Sequence, residues 1–147
     1  MIRDSHIPHV MVFGVFDVLH PGHLSFLNQA ARYGTLMVVV ARDSTVLLLK
    51  KKKPRFRERV RVAHLKRELG KGTRVVLGDR VMGNYTVLKR YTPDLICLGY
   101  DQSALYVDLR GRMREGNLPR ISLRRLRAHK PHHFHSSFLI SRVKGVY

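Results

Sequence analysis

Two imidazoles three residues apart, His20 and His23 with Pro21 and Gly22 between them, are the side chains of this sequence best suited to chemistry on a phosphate. An imidazole offers a hydrogen bond or a charge to a phosphate oxygen near neutral pH. Positions three apart in a helical turn share a side, so both rings can point at one ligand. Gly22 lets that ligand approach the backbone closely. With nine histidines and eleven glycines in 147 residues, a His-x-Gly-His is expected by chance only about 0.04 times, so the pattern reads as a site.

The elements around the motif fit that reading. Val10 to Val15 is a nearly unbroken apolar run, the pattern of a strand buried on both faces of a parallel sheet. Leu24, Leu27 and Ala31 follow at helical spacing, and Pro21 suits a first helical turn because its missing N–H would have had no partner there. The free N–H groups and positive dipole end of that helix face the space above the strand and favour anions.

Further along, strand-like and helix-like segments alternate. The pattern predicts strands over 10–16, 36–41, 74–77, 95–99 and 120–123, and helices over 21–33, 58–69, 85–91, 103–115 and 137–144. Right-handed crossovers turn such an alternation into an α/β, doubly wound, five-stranded parallel sheet of order 3-2-1-4-5 with helices on both faces. In that order the first and fourth strands are neighbours and the winding reverses between them, which is where ligands collect. A single domain over 1–147 is expected from the length.

Composition narrows the class. No apolar run approaches the length of a membrane span, and the first ten residues lack the apolar core of a signal peptide. A cytoplasmic protein with no membrane partner is expected. Cys97, the lone cysteine, lies in the apolar run 95–98 and reads as a small core residue. The 28 Lys plus Arg against 10 Asp plus Glu give +18 at pH 7. That field attracts nucleotides and pyrophosphate, and also nonspecific nucleic acid.

The phrases VMVFGVFDVLHPGHLSFLNQA, VVVARDSTV, KKP, VVLGD and PDLICLGYDQ, in this order and spacing, resemble the nucleotidyltransferase superfamily and, within it, its archaeal FAD synthase branch. They run from Val10 to Gln102, roughly two thirds of the chain. The resemblance implies a Rossmann-like fold and a reaction that joins the AMP of ATP to the phosphate of FMN. A divalent cation, Mg2+, bridges the triphosphate oxygens; no protein-borne metal site is predicted. It implies His20 and His23 as catalytic groups, backbone contacts to the nucleotide from Val15, Phe16, Pro21 and Gly22, and a contact from Asp101. Val15 stands where many relatives have threonine, so a hydroxyl contact there is lost. One lysine of the run 50–53, taken as Lys53, reaches the phosphates from a loop, and Arg61 on the next helix is directed at the site. Ser136 and Ser137 open a last helix that holds the β- or γ-phosphate, although Phe138 and Ile140 replace the basic residues common there and leave Arg142 or Lys144 as substitutes. A homodimer is also implied.

Some residues carry two readings. Asp101, Ser136 and Ser137 could simply cap helices, and Asp17 and Asp43 could orient neighbouring loops instead of touching substrate. The segment 129–135, rich in histidine, matches no familiar zinc spacing and reads as a solvated or substrate-facing loop, with Phe134 a candidate to stack on a flavin ring. Two other functions compete: a CTP-dependent cytidylyltransferase acting on glycerol 3-phosphate, and a basic RNA-binding module built on the same fold, carried by the arginines at 110, 112, 114, 120, 124, 125 and 127.

Overall fold

The computed structural model describes residues 6–128. Five parallel strands form one sheet: β1 (His9–Gly14), β2 (Thr35–Val40), β3 (Arg74–Leu77), β4 (Leu95–Leu98) and β5 (Ser122–Arg125), in the order β3-β2-β1-β4-β5. The helices are α1 (Pro21–Ala31), α2 (Asp43–Lys50), α3 (Glu58–Leu69), α4 (Thr86–Tyr91) and α5 (Ser103–Arg114). Both the predicted strand order and the α/β class are observed.

Successive residues of a strand face opposite sides, and the two cores follow from that alternation. Val10 and Val12 of β1 join Val38, Val40, Val75 and Cys97 under Leu27 and Ala30 of α1 and Leu65 of α3. Met11, between them, turns to the other side with Val39, Ile96 and Leu98, beneath Val87 and Leu88 of α4 and Leu109 of α5. The apolar runs are continuous because both faces are covered. At the start of β2, Gly34 adopts φ +156°, and a Cβ there would lie 2.2 Å from the Pro8 carbonyl oxygen. Only glycine allows the Thr35 N–H to reach that oxygen at 2.9 Å and set the β1–β2 register.

Two elements differ from the sequence expectation. The helix α2 was not predicted. Its run of adjacent leucines carries no amphipathic period, and only Val46 is buried. The strand β5 lies two residues later than the pattern indicates. It pairs Cys97 with Arg124 and Leu98 with Arg125, which an edge strand tolerates because charged side chains there stay in solvent. The predicted helix over 137–144 lies outside the described residues.

Candidate active site

At the carboxyl end of β1 the chain leaves the sheet through Gly14, Val15 and Phe16. Phe16 takes φ 51°, the left-handed region that costs a non-glycine residue about 1–2 kcal/mol. That turn folds its ring back over Gly14, where a Cβ would come 2.5 Å from the ring. The buried Phe16 ring then meets His23 edge-on, 5.3 Å between centroids, and fixes the imidazole from one side.

His20 is the N-cap of α1. Its Nδ1 accepts the N–H of Gly22 at 3.1 Å and of His23 at 3.3 Å. An accepting Nδ1 in a neutral imidazole puts the proton on Nε2, so the cap sets the tautomer and makes Nε2 the donor nitrogen of the ring. The His23 ring stacks under that of His20, 3.7 Å between centroids and 17° from parallel. His23 is 6% exposed, whereas His20 is half-buried and offers the more accessible ring. Burial, then the charges of His20 and Lys50, push the His23 pKa down to about 3, against a hydrogen bond to the Val18 backbone. Near neutral pH His23 is therefore uncharged.

The exit of β4 lies beside this turn. Gln102, just ahead of α5, accepts the Gly99 N–H at 2.8 Å and donates to the Phe13 carbonyl at 2.9 Å. One side chain thus ties together the strand ends on either side of the winding reversal. Asp101 is exposed on this rim, and because the N-cap of α5 is Gln102, capping does not occupy it.

The lysine run begins in the helix. Lys50 closes α2, and Lys51, Lys52 and Lys53 are exposed on the loop that follows. Of the four, Lys50 is the one whose charge acts on His23; Lys53 lies farther along the loop. The loop is held at its far end by Asp17, whose carboxylate accepts the N–H of Arg55 at 2.6 Å and of Phe56 at 2.9 Å. Asp17 thus orients a neighbouring loop, the structural one of its two readings.

Arg61 departs from the expected role. Its side chain is fully buried, donating to the carbonyls of Phe56, Val15 and Ala41 and to the Asp43 carboxylate at 2.7 Å. Four of the five guanidinium N–H donors are committed to protein oxygens. Instead of reaching a phosphate, Arg61 clamps the β1 exit, the β2 exit and the lysine loop together from below. Asp43 is its counter-ion, and Glu58 supports the pair by accepting the Asp43 N–H at 2.8 Å and facing Arg42 at 3.4 Å. Lone-residue reading missed Glu58, Arg42 and Gln102. Their signal is tertiary, since each joins segments far apart in sequence. Ser136, Ser137 and the segment 129–135 lie outside the described residues.

Among the described residues, cavities flank the sheet at both ends of its strands. One of about 750 Å³ opens at the amino ends of β1 and β2, lined by His9, Thr35, Lys71 and Arg74 among others. The other, about 500 Å³, lies at the carboxyl end of β3 between Arg42, Val76, Gly78, Val87 and Tyr91. Ligands of open α/β sheets bind beyond the carboxyl ends of the strands; the smaller cavity lies at that end, and neither His20 nor His23 lines it.

The chain matches the cytidylyltransferase-like family over residues 11–143. It is 48% identical to an FAD synthase of Aciduliprofundum boonei over 63% of its own length, a match that spans 61% of that relative. With an FAD synthase of Thermococcus onnurineus it shares 32% identity over 99% of this chain and 97% of the relative. Among solved structures, a lipopolysaccharide core biosynthesis protein of Thermoplasma volcanium superposes with a TM-score of 0.69 at 34% identity, covering 85% of this chain and 98% of that one.

Proposed function

The chain belongs to the cytidylyltransferase-like family, and from that membership we propose that it is an FMN adenylyltransferase. An oxygen of the FMN phosphate attacks the α-phosphorus of ATP in line, the bond between that phosphorus and the bridging oxygen to the β-phosphate breaks, and FAD and pyrophosphate leave. The observation that carries the proposal is the stacked His20–His23 pair at the N-terminus of α1, between the exits of β1 and β4, in a chain similar to archaeal FAD synthases.

Phosphoryl and nucleotidyl transfer demand little covalent help; alignment of two repelling anions and neutralisation of the charge moving to the leaving group supply the rate. His20 donates through Nε2–H to a triphosphate oxygen, and the N–H groups opening α1 add a positive partial charge. His23, neutral in the empty site, gains affinity for a proton when polyphosphate settles on it, and becomes a second donor. Backbone of Val15, Phe16, Pro21 and Gly22 lines the nucleotide side, with Asp101 on the rim, Ser136 and Ser137 as further phosphate contacts, and Lys50 or Lys53 from α2 and its loop. Among the described residues no three His, Cys, Asp or Glu side chains gather to hold an ion. Mg2+, if bound with the nucleotide, would be held chiefly by phosphate oxygens and would supply neutralising charge there. The cavity at the end of β3, lined by Val76, Val87 and Tyr91, offers an apolar surface for the acceptor's ring at the same end of the sheet. Action in the cytoplasm, as a homodimer with salt-sensitive nonspecific affinity for nucleic acid, completes the proposal.

The test is turnover. Incubated with Mg2+ and each pairing of ATP or CTP with FMN or glycerol 3-phosphate, the protein is expected to release pyrophosphate and form FAD from ATP and FMN. A CTP-dependent product with glycerol phosphate and no FAD would overturn the assignment. Nucleic acid retained at high salt with no turnover at all would favour the RNA-binding module.

A further inference from the structure

We propose that α2 docks the protein onto an anionic lipid surface, its leucines entering the headgroup boundary and the lysines that follow meeting the phosphates. In α2 only Val46 is buried, while Leu47, Leu48 and Leu49 are 47%, 64% and 57% exposed. At 3.6 residues per turn Leu48 stands nearly opposite Val46, with Leu47 and Leu49 flanking it about 100° to either side, so the three leucines fan over the side of the helix that the core leaves uncovered. Lys50, Lys51, Lys52 and Lys53 come next, all exposed, followed by exposed Arg55, Arg57 and Arg59. From 44 to 57 the sequence contains no acidic residue.

Charge and shape together select the occupant. A second copy in a two-fold contact would set two lysine runs face to face between chains that each carry +18. Nucleic acid would satisfy the lysines and leave the leucines in water. The leucines stand out from a convex two-turn helix rather than line a groove, so a peptide finds no cleft there. An anionic bilayer accepts both halves at once, apolar side chains at the acyl boundary and cations among the headgroups. Stable surface binding takes two such signals, and each lysine close to an anionic leaflet strengthens it about fivefold. This is attachment, not insertion: none of the described helices is long and apolar enough to cross a membrane. It departs from the sequence expectation of no membrane partner, and it does not depend on which nucleotide or acceptor the site takes.

The chain has no tryptophan, so Leu48→Trp installs a single reporter at the most exposed of the three leucines. Its emission is expected to shift to the blue, and to be quenched by bromine-labelled acyl chains, with vesicles of phosphatidylcholine plus phosphatidylserine and not with phosphatidylcholine alone. In vesicle sedimentation at physiological salt, Leu47→Ser with Leu48→Ser and Leu49→Ser should lower binding at least about tenfold, and Lys52→Ser about fivefold. The single change Leu48→Ser carries the same sign where the triple change harms folding. A reporter that stays in water on anionic vesicles, a triple variant that binds like the parent, a shift seen only with an acidic peptide, or leucine variants that alter only the oligomeric state would each overturn the proposal.

Discussion

Lowering the pH should destabilise this protein through His23 in particular, by an amount the site fixes. The imidazole is 6% exposed, stacked on His20 and edged by Phe16, and its pKa falls from 6.5 in the unfolded chain to about 3 in the folded one. A histidine held neutral by the fold contributes its full stability above the unfolded pKa. Below 6.5 the unfolded state takes up a proton that the folded state refuses, so stability drops by about 1.4 kcal/mol per pH unit until the folded pKa is reached. Between pH 7.5 and 4.5 the loss assigned to this one group is about 3 kcal/mol, a large part of a marginal total. Urea unfolding of the parent and of His23→Gln across that range isolates it, because the other titrating groups cancel in the difference. The difference should be flat above pH 6.5 and slope below it. A difference that stays flat down to pH 4.5 would show that His23 is not desolvated as described. Saturating ATP should shrink the slope in the parent, since bound phosphate restores the proton's affinity for the ring.

Other substitutions test the neighbouring contacts. His20→Ala should lose about 1 kcal/mol of α1 capping and lower turnover by about 10²–10³-fold, whereas His20→Asn, also a good cap, should recover the stability in thermal unfolding and not the turnover. Recovery of both would mean that the ring is not the phosphate donor. Arg61→Met strips the Asp43 ion pair and the bonds to three carbonyls and should cost about 3–5 kcal/mol by urea unfolding; a loss below about 1 kcal/mol would refute the clamp. Asp17→Ala releases the N–H groups of Arg55 and Phe56, so limited proteolysis should cut the loop 51–57 faster and the KM for ATP should rise more than kcat falls. Gln102→Leu leaves the Gly99 N–H and the Phe13 carbonyl without their tie, at about 1–3 kcal/mol; unchanged stability would remove Gln102 from the site.

Where local pattern and burial agree, the sequence was legible. α3 and β3 begin and end where the pattern puts them, because Leu65 and Leu69 recur on one helical face and 74–77 is bounded by glycines. The His-x-Gly-His turn was legible for the same reason, an apolar strand meeting a helix start. α2 was not: Leu47, Leu48 and Leu49 give no period of 3.6, and the helix is held by Glu58 on the Asp43 N–H and by Arg61 on the Asp43 carboxylate, partners 15 and 18 residues away. Arg61 shows a signal that was present and outweighed. It sits four residues before Leu65 on the buried face of α3, yet the resemblance directed it at the phosphates, and the arginines at 57, 59 and 67 beside it gave no sign that Arg61 turns inward. Gln102 offers no local sign, since its meaning appears only when the winding order brings Gly99 beside Phe13.

Burial first, and then the cations around the β1 exit, explain why a chain of +18 keeps the His23 imidazole uncharged. The charges of His20 and Lys50 add to burial in the same direction, against protonation of the ring. The same cations favour an incoming polyphosphate, whose charge reverses their effect on His23. Protonation and phosphate binding are thus linked: each raises the affinity for the other, by the reciprocity that any coupling between two ligands obeys. On the proposed function, the site would carry its full charge only around a triphosphate, and charge stabilisation would be largest when the reacting group is present. Proton uptake on ATP binding, read by titration calorimetry in buffers of different ionisation enthalpy, should therefore be positive near neutral pH and vanish in His23→Gln. Equal uptake in both proteins would place the responsive group elsewhere and break the link between the buried ring and the phosphate.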